Sequence, residues 1–178
     1  MRRVSVETDR ILPGLCNKLG LEMPDVYEKS RKILKSRNEI PWIPECPDGV
    51  DDIEVYYYSE EELLKSIKWL EGYYNGLVAE EGLLDQVSVL WESGFMGQII
   101  KLCMEQISDF RKQGKNYYTL IQKHYLEDFQ MTEQEFMESL NMSRTTYYQR
   151  LKEAITLFGI LLFTEITQWD PQKVAVNE

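Results

Sequence analysis

Side chains able to bond to nucleic acids are concentrated in one stretch near the end of the sequence, residues 143–152. No Asp or Glu interrupts this stretch, although acidic residues are abundant elsewhere. Arg, Gln and Thr can bond to base edges or phosphates, and the exposed amides at a helix start can receive a phosphate. The candidate DNA-contacting residues are Ser143, Arg144, Thr145, Thr146, Tyr148, Gln149 and Lys152.

These candidates need a helix that turns them outward and buries its opposite side. At about 100° per residue, one set of apolar residues in this region falls on a single stripe. The predicted buried stripe is Tyr147, Leu151, Ala154, Ile155 and Phe158. Thr145, Gln149 and Lys152 then face outward, together with Thr146, while Arg144 and Tyr148 flank that face.

A short capped helix is predicted immediately before this one. Thr132 and Glu135 have the spacing of a capping box, and the helix they begin ends at Asn141. Its expected buried residues are Phe136, Met137 and Leu140, with Met142 packed inward after them. Asn141 tolerates a left-handed backbone, and Ser143 suits the N-cap of the next helix. This pattern is a helix-turn-helix, whose second helix enters the major groove of DNA.

A further helix, from about Lys115 to Glu127, precedes that pair. Its expected buried residues are Tyr118, Ile121 and Tyr125. His124 is the one histidine in the sequence, and its place on this helix favours a structural role over catalysis. Because the sequence has no phosphate-binding glycine loop, no Ser-His-Asp order and no paired metal ligands, we expect no catalytic residue, metal site or cofactor, and therefore no enzyme.

The segment from Thr132 to Tyr148 resembles the end of sigma factor region 4, where a threonine-led short helix and a small-residue turn lead into a Ser-Arg pair. The wider layout resembles phage late-gene regulators of the RinA and ArpU type, through the segment Pro41-Trp42-Ile43-Pro44 and the helical region that follows. These resemblances imply a phage or prophage transcriptional regulator that binds double-stranded DNA. They leave RNA polymerase open as a second partner.

The net charge argues against a protein that coats nucleic acid indiscriminately. Thirty Asp and Glu outnumber twenty Lys and Arg, which gives a formal net charge of −10. Non-specific binding draws its affinity from many neutralised phosphates, so DNA binding here must use a local surface. Two alternatives stay open: a DNA-packaging protein similar to a terminase small subunit, and a protein-interaction module on a helix-turn-helix scaffold.

The N-terminal region is predicted to contain an amphipathic helix followed by an arm. Pro24 suits a first helical turn, and apolar residues recur from there at helical spacing to about Ser36. The helix carries five basic residues, which predict a solvated face, with contact to DNA or an acidic partner as the alternative. They are Lys29, Arg31, Lys32, Lys35 and Arg37. Residues 39–58 are rich in proline and acids and predict a linker or an extended arm, not a calcium loop.

The central region is also helical in pattern. Ser59 and Glu62 form a second capping box, and apolar residues follow at helical spacing, with a break at Ser93-Gly94. No stretch shows sustained strand alternation. The predicted fold is therefore all-α, with helical regions over 1–58 and 59–112 and the helix-turn-helix over 113–178.

Residues 155–163 are apolar on every side of a helix. They are fewer than the roughly 20 residues that a membrane span needs. A second chain is the expected cover, which predicts a homodimer, with the N-terminal helices as the alternative cover. The sequence has an odd number of well-separated cysteines and no signal-peptide pattern, which favours reduced thiols in a bacterial cytoplasm. The cysteines are Cys16, Cys46 and Cys103.

Overall fold

The computed structural model describes residues 3–40, 58–128 and 131–169, and every regular element in these ranges is helical. The predicted all-α fold is therefore confirmed. The helices are α1 (Arg3–Leu19), α2 (Met23–Ser36), α3 (Glu60–Tyr74), α4 (Leu83–Glu92), α5 (Phe95–Ser108), α6 (Gly114–Ile121), α7 (Glu133–Ser139) and α8 (Arg144–Gln168). A π-helical turn, Gln122–Leu126, continues α6, and short 3-10 turns follow α2 and precede α4.

Helix α1 is not predicted by the sequence pattern. It contains Pro13, a residue that normally disfavours a helix interior because it lacks an N–H donor. Leu12 and Cys16 lie one turn apart on α1, and both are buried in the core. The helix ends at Gly20, whose φ of +70° is favourable for glycine after a helix.

The predicted helix beginning near Pro24 is confirmed as α2, with Pro24 in its first turn. Most of the predicted acidic arm, residues 41–57, lies outside the described residues, as do the segment Pro41-Trp42-Ile43-Pro44 and Cys46.

The capping box that begins α3 is confirmed. Ser59 Oγ accepts a hydrogen bond from the Glu62 amide at 3.2 Å, and a Glu62 carboxylate oxygen accepts one from the Ser59 amide at 2.9 Å. The apolar period after Ser59 is divided between α3 and α4, because the chain turns at Gly76 with φ +73°. The predicted break at Ser93-Gly94 is confirmed, and Gly94 has φ +81°.

The C-terminal half of α8 lies in the main hydrophobic core. Its apolar residues are at most 5% exposed, apart from half-buried Leu161. Helices α2, α3, α5 and α6 of the same chain pack against α8. The expectation that a second chain covers residues 155–163 is therefore wrong, because the chain covers them itself. With that cover, the apolar stretch no longer argues for a homodimer.

Helices α2 and α8 cross closely at Gly159. A Cβ atom at Gly159 would lie 1.9 Å from Ser30 Oγ and 2.8 Å from a Val26 methyl carbon. Ser30 Oγ is also hydrogen-bonded to the Tyr74 hydroxyl at 2.9 Å, and the Tyr74 ring packs edge-on against Phe163. Helices from all three predicted regions therefore meet in one core.

Candidate nucleic-acid interface

The local signals of the helix-turn-helix are confirmed in the structure. Thr132 Oγ1 accepts from the Glu135 amide at 3.2 Å, and the Glu135 carboxylate accepts from the Thr132 amide at 2.8 Å. Helix α7 has seven residues and ends at Ser139, two residues before the predicted end. Asn141 has the left-handed φ of +51°, and Ser143 Oγ caps α8 by accepting from the Thr146 amide at 3.3 Å.

Helix α6 buries a different tyrosine from the one predicted. Tyr118 is 37% exposed, so its predicted burial is wrong, whereas Tyr117 is fully buried. The reason is that Tyr117, Leu120 and Ile121 share one helix face, which turns Tyr118 outward. The Tyr117 hydroxyl donates to a Glu153 carboxylate oxygen on α8 at 2.7 Å. Burial of Ile121 and Tyr125 is confirmed.

A small apolar cluster, separate from the main core, joins α6, α7 and α8. Its fully buried members are Leu120, Phe136 and Tyr147. Five half-buried residues pack around them, so burial of the predicted members is complete for Phe136 and partial for the others. The half-buried residues are Met131, Met137, Leu140, Met142 and Leu151. Of the predicted stripe on α8, all members except Leu151 are fully buried.

His124 is part of the packing around this small cluster. Its ring stacks on Phe136 with centroids 4.2 Å apart and planes within 5°, and Nε2 is hydrogen-bonded to the Tyr147 hydroxyl. Burial lowers the pKa of His124 because it disfavours the charged imidazolium, although the nearby Glu133 carboxylate acts in the opposite direction. The neutral ring therefore links α6 to both helices of the motif.

The centre of the candidate surface is formed by Thr145 and Gln149, which lie four residues apart and are exposed. The Gln149 amide donates to a Glu153 carboxylate oxygen at 3.2 Å. Thr146 is half-buried, and its hydroxyl accepts a hydrogen bond from Ser143 Oγ at 3.0 Å. Ser143 and Thr146 thus form the cap of α8, which leaves Thr145 and Gln149 as the residues placed for contact with bases.

One edge of the surface is formed by Arg144, Tyr148 and Lys152, spaced four residues apart on α8 and all exposed. The Arg144 guanidinium lies 5.8 Å from the centre of the Tyr148 ring, and the Tyr148 hydroxyl donates to Glu133 on α7 at 2.5 Å. The Lys152 ammonium lies 5.3 Å from the centre of the Tyr27 ring. Tyr27 belongs to α2, and the sequence alone does not assign it to this surface.

The charges around the surface are nearly balanced. Residues 132–153 contain three basic residues and four acidic ones. One of the acids, Glu153, is buried and accepts hydrogen bonds from Tyr117, Gln149 and Arg150, with the Arg150 contact at 2.9 Å. The exposed acids are on α7, so the start of α8 itself presents no carboxylate.

Comparison of the chain with protein-family models, curated proteins and solved structures gives no significant match. Within residues 3–40, 58–128 and 131–169, no helix is long and apolar enough to cross a membrane. The same ranges contain no group of three or more His, Cys, Asp or Glu residues arranged to hold a metal ion. Cys16 and Cys103 are buried free thiols.

Proposed function

We propose that the protein is a sequence-specific transcriptional regulator that binds double-stranded DNA with the first half of α8 in the major groove. The observation that carries the proposal is the capped helix-turn-helix, whose second helix exposes Thr145 and Gln149 near its start. The layout resembling phage late-gene regulators favours a phage or prophage origin, action in a bacterial cytoplasm and RNA polymerase as a second partner.

The exposed side chains suit this type of recognition. A Gln side chain can bond to the N6 and N7 atoms of adenine, and a Thr can contact a base edge or the thymine methyl group. Arg144 can reach a phosphate or a guanine edge from the first turn. Because the unit itself carries little positive charge, we expect two copies to bind half-sites about 34–36 Å apart.

The proposal is tested by selecting bound duplexes from a random-sequence DNA pool with the purified full chain. We expect one sequence to be enriched, and to bind more tightly than random duplex in quantitative titrations. Equal affinity for all duplexes, or no binding over a range of salt concentrations, would overturn the proposal. In the second case the protein-interaction module would be the better explanation of the fold.

Substitution of Gln149 distinguishes base contact from general DNA affinity. Gln149→Ala is expected to cost about 1–3 kcal/mol on the selected duplex and little on random duplex. Gln106→Ala is the matched control, because Gln106 on α5 donates to Glu165 at 3.0 Å, the same kind of amide–carboxylate bond at the other end of α8. Equal affinities of Gln149→Ala and the wild-type chain for the selected duplex would rule out base reading by Gln149.

Arg144→Ala tests the first turn of α8. Loss on the selected duplex alone would assign Arg144 to a guanine edge, and equal loss on both duplexes would assign it to a phosphate. Leu151→Ala serves as a folding control, because it removes a half-buried side chain between the small cluster and the main core. It should lower the free energy of unfolding, whereas Arg144→Ala and Gln149→Ala should leave it nearly unchanged.

A further inference from the structure

The face of α8 that exposes Thr145 and Gln149 continues along the helix as the face that packs on α2. At about 100° per residue, Thr156, Gly159 and Phe163 lie within about 80° of these two residues around the helix axis. Thr156 and Phe163 are buried, and Gly159 is the crossing point with α2. Helix α2 therefore lies on the side of α8 that DNA would approach, directly beyond the reading residues.

The outer edge of α2 joins the edge of α8 at this place. Tyr27, Arg31 and Lys35 are spaced four residues apart on α2, and the Tyr27 ring lies against the Lys152 ammonium. Arg31 also reaches the motif: burial raises the pKa of the Tyr125 hydroxyl, and the adjacent Arg31 guanidinium acts in the opposite direction. Lys35 is exposed one turn further on.

The other three basic residues of this region have partners elsewhere. Lys29 donates to the Tyr74 carbonyl oxygen at 3.4 Å, and Lys32 is paired with Glu80 beside α3. Arg37 is paired with Asp128 at 3.4 Å. Arg31 has only an exposed carboxylate at the limit of an ion pair, Glu28 at 3.9 Å. Arg31 and Lys35 are thus the cations of α2 that lie nearest to the edge of α8 and are accessible to a ligand.

We propose that Arg31 and Lys35 on α2 bind DNA phosphates beside the groove that α8 occupies, and so extend the edge formed by Arg144, Tyr148 and Lys152. This proposal rests on the proposed function. It supplies the charge that the motif lacks, because residues 132–153 carry more acids than bases. Phosphate contacts of this kind fix the position of a protein on DNA but carry no sequence information directly.

The test is the salt dependence of DNA binding by the full chain carrying Arg31→Gln and Lys35→Gln together. We expect weaker binding to selected and random duplexes by the same factor. Each lost phosphate contact reduces the slope of log affinity against log salt by about 0.9, so two lost contacts shrink the deficit about tenfold between 50 and 200 mM salt. Lys35→Gln alone, which removes an exposed side chain, should give half of that change in slope.

The matched control carries Lys65→Gln and Lys68→Gln, which remove the same charge from exposed positions on α3. If this control changes the slope as much as the α2 variant does, α2 does not contact DNA and the inference is wrong. Reading by α8 would still stand in that case, provided that Gln149→Ala weakens binding to the selected duplex only. If the wild-type chain binds no duplex, the inference and the proposed function are both wrong.

Discussion

The two halves of α8 have opposite environments although they form one continuous helix. Residues 144–152 are mostly exposed and polar, and they are supported by a cluster with three fully buried side chains. Residues 154–166 are largely buried and are surrounded by helices from the rest of the chain. The difference shows that a long apolar stretch after a reading helix can anchor that helix in its own core, without a second subunit.

The comparison also explains how an exposed surface is held in place. The first half of α8 has few apolar neighbours, but it is the rigid continuation of a helix fixed in the main core. Elements with few buried contacts open at low free energy, so α7 and the small cluster are expected to open before the main core. Substitutions in the second half should therefore affect the whole fold, and those in the first half should affect binding.

The largest expected effect is that of Phe158→Ala in the second half of α8. Phe158 is fully buried, and truncation of a buried Phe costs about 3–5 kcal/mol through lost burial and a cavity. The free energy of unfolding from denaturant titration measures this cost. Gln149→Ala in the first half is the comparison, expected within about 0.5 kcal/mol of the wild-type value. Similar losses for both variants would refute the distinction between the halves.

A smaller effect is expected from Gly159→Ala, which tests the crossing of α2 and α8. The added Cβ would contact Ser30 and Val26 at distances that require α2 to shift, and overpacking of this kind costs about 1–3 kcal/mol. The control is Gly14→Ala on α1, where no atom lies within 4 Å of the added Cβ. This control should be neutral or stabilising by up to about 1 kcal/mol, as for Ala in place of Gly in a helix.

The smallest effect concerns pH and the small cluster. Burial lowers the pKa of His124 in the folded chain, so its contribution to stability is complete above about pH 6.5, the ordinary value of histidine. Below that pH the unfolded chain binds a proton more readily than the folded chain does, and the free energy of unfolding falls. His124 is the one histidine in the sequence, so it is the side chain that titrates between pH 7.5 and 6.

Unfolding titrations at pH 7.5 and pH 6 should therefore show a loss of stability for the wild-type chain on acidification. The same comparison with His124→Phe, which keeps an aromatic ring against Phe136 but cannot titrate, should show a smaller loss. An equal loss for the two proteins would mean that His124 takes up a proton without disturbing the cluster.

Features set by neighbouring residues could be predicted from the sequence. The capping boxes at Ser59 and Thr132, the left-handed turn at Asn141 and the cap at Ser143 each depend on residues within one turn. The all-α fold and the exposure of Thr145 and Gln149 follow from helical periodicity, which is also local.

Features that depend on distant contacts could not be predicted in the same way. The cover of residues 155–163 comes mainly from helices earlier in the chain, and the Tyr27–Lys152 contact joins positions on α2 and α8. Helical spacing alone allowed either Tyr117 or Tyr118 to face inward, and the position of Glu153 on α8 favours Tyr117. Helix α1 forms despite Pro13 because Leu12 and Cys16 pack in the core.

The division of α8 into a DNA-binding half and a core half is tested most directly by nuclear magnetic resonance. The labelled full chain is titrated with the selected duplex, and the change in each backbone amide signal is measured. The account predicts that the largest changes fall at residues 143–152, with a second group at 27–35, and that α5 is little affected. Changes centred instead on exposed leucines outside the motif, such as Leu84 or Leu102, would contradict it.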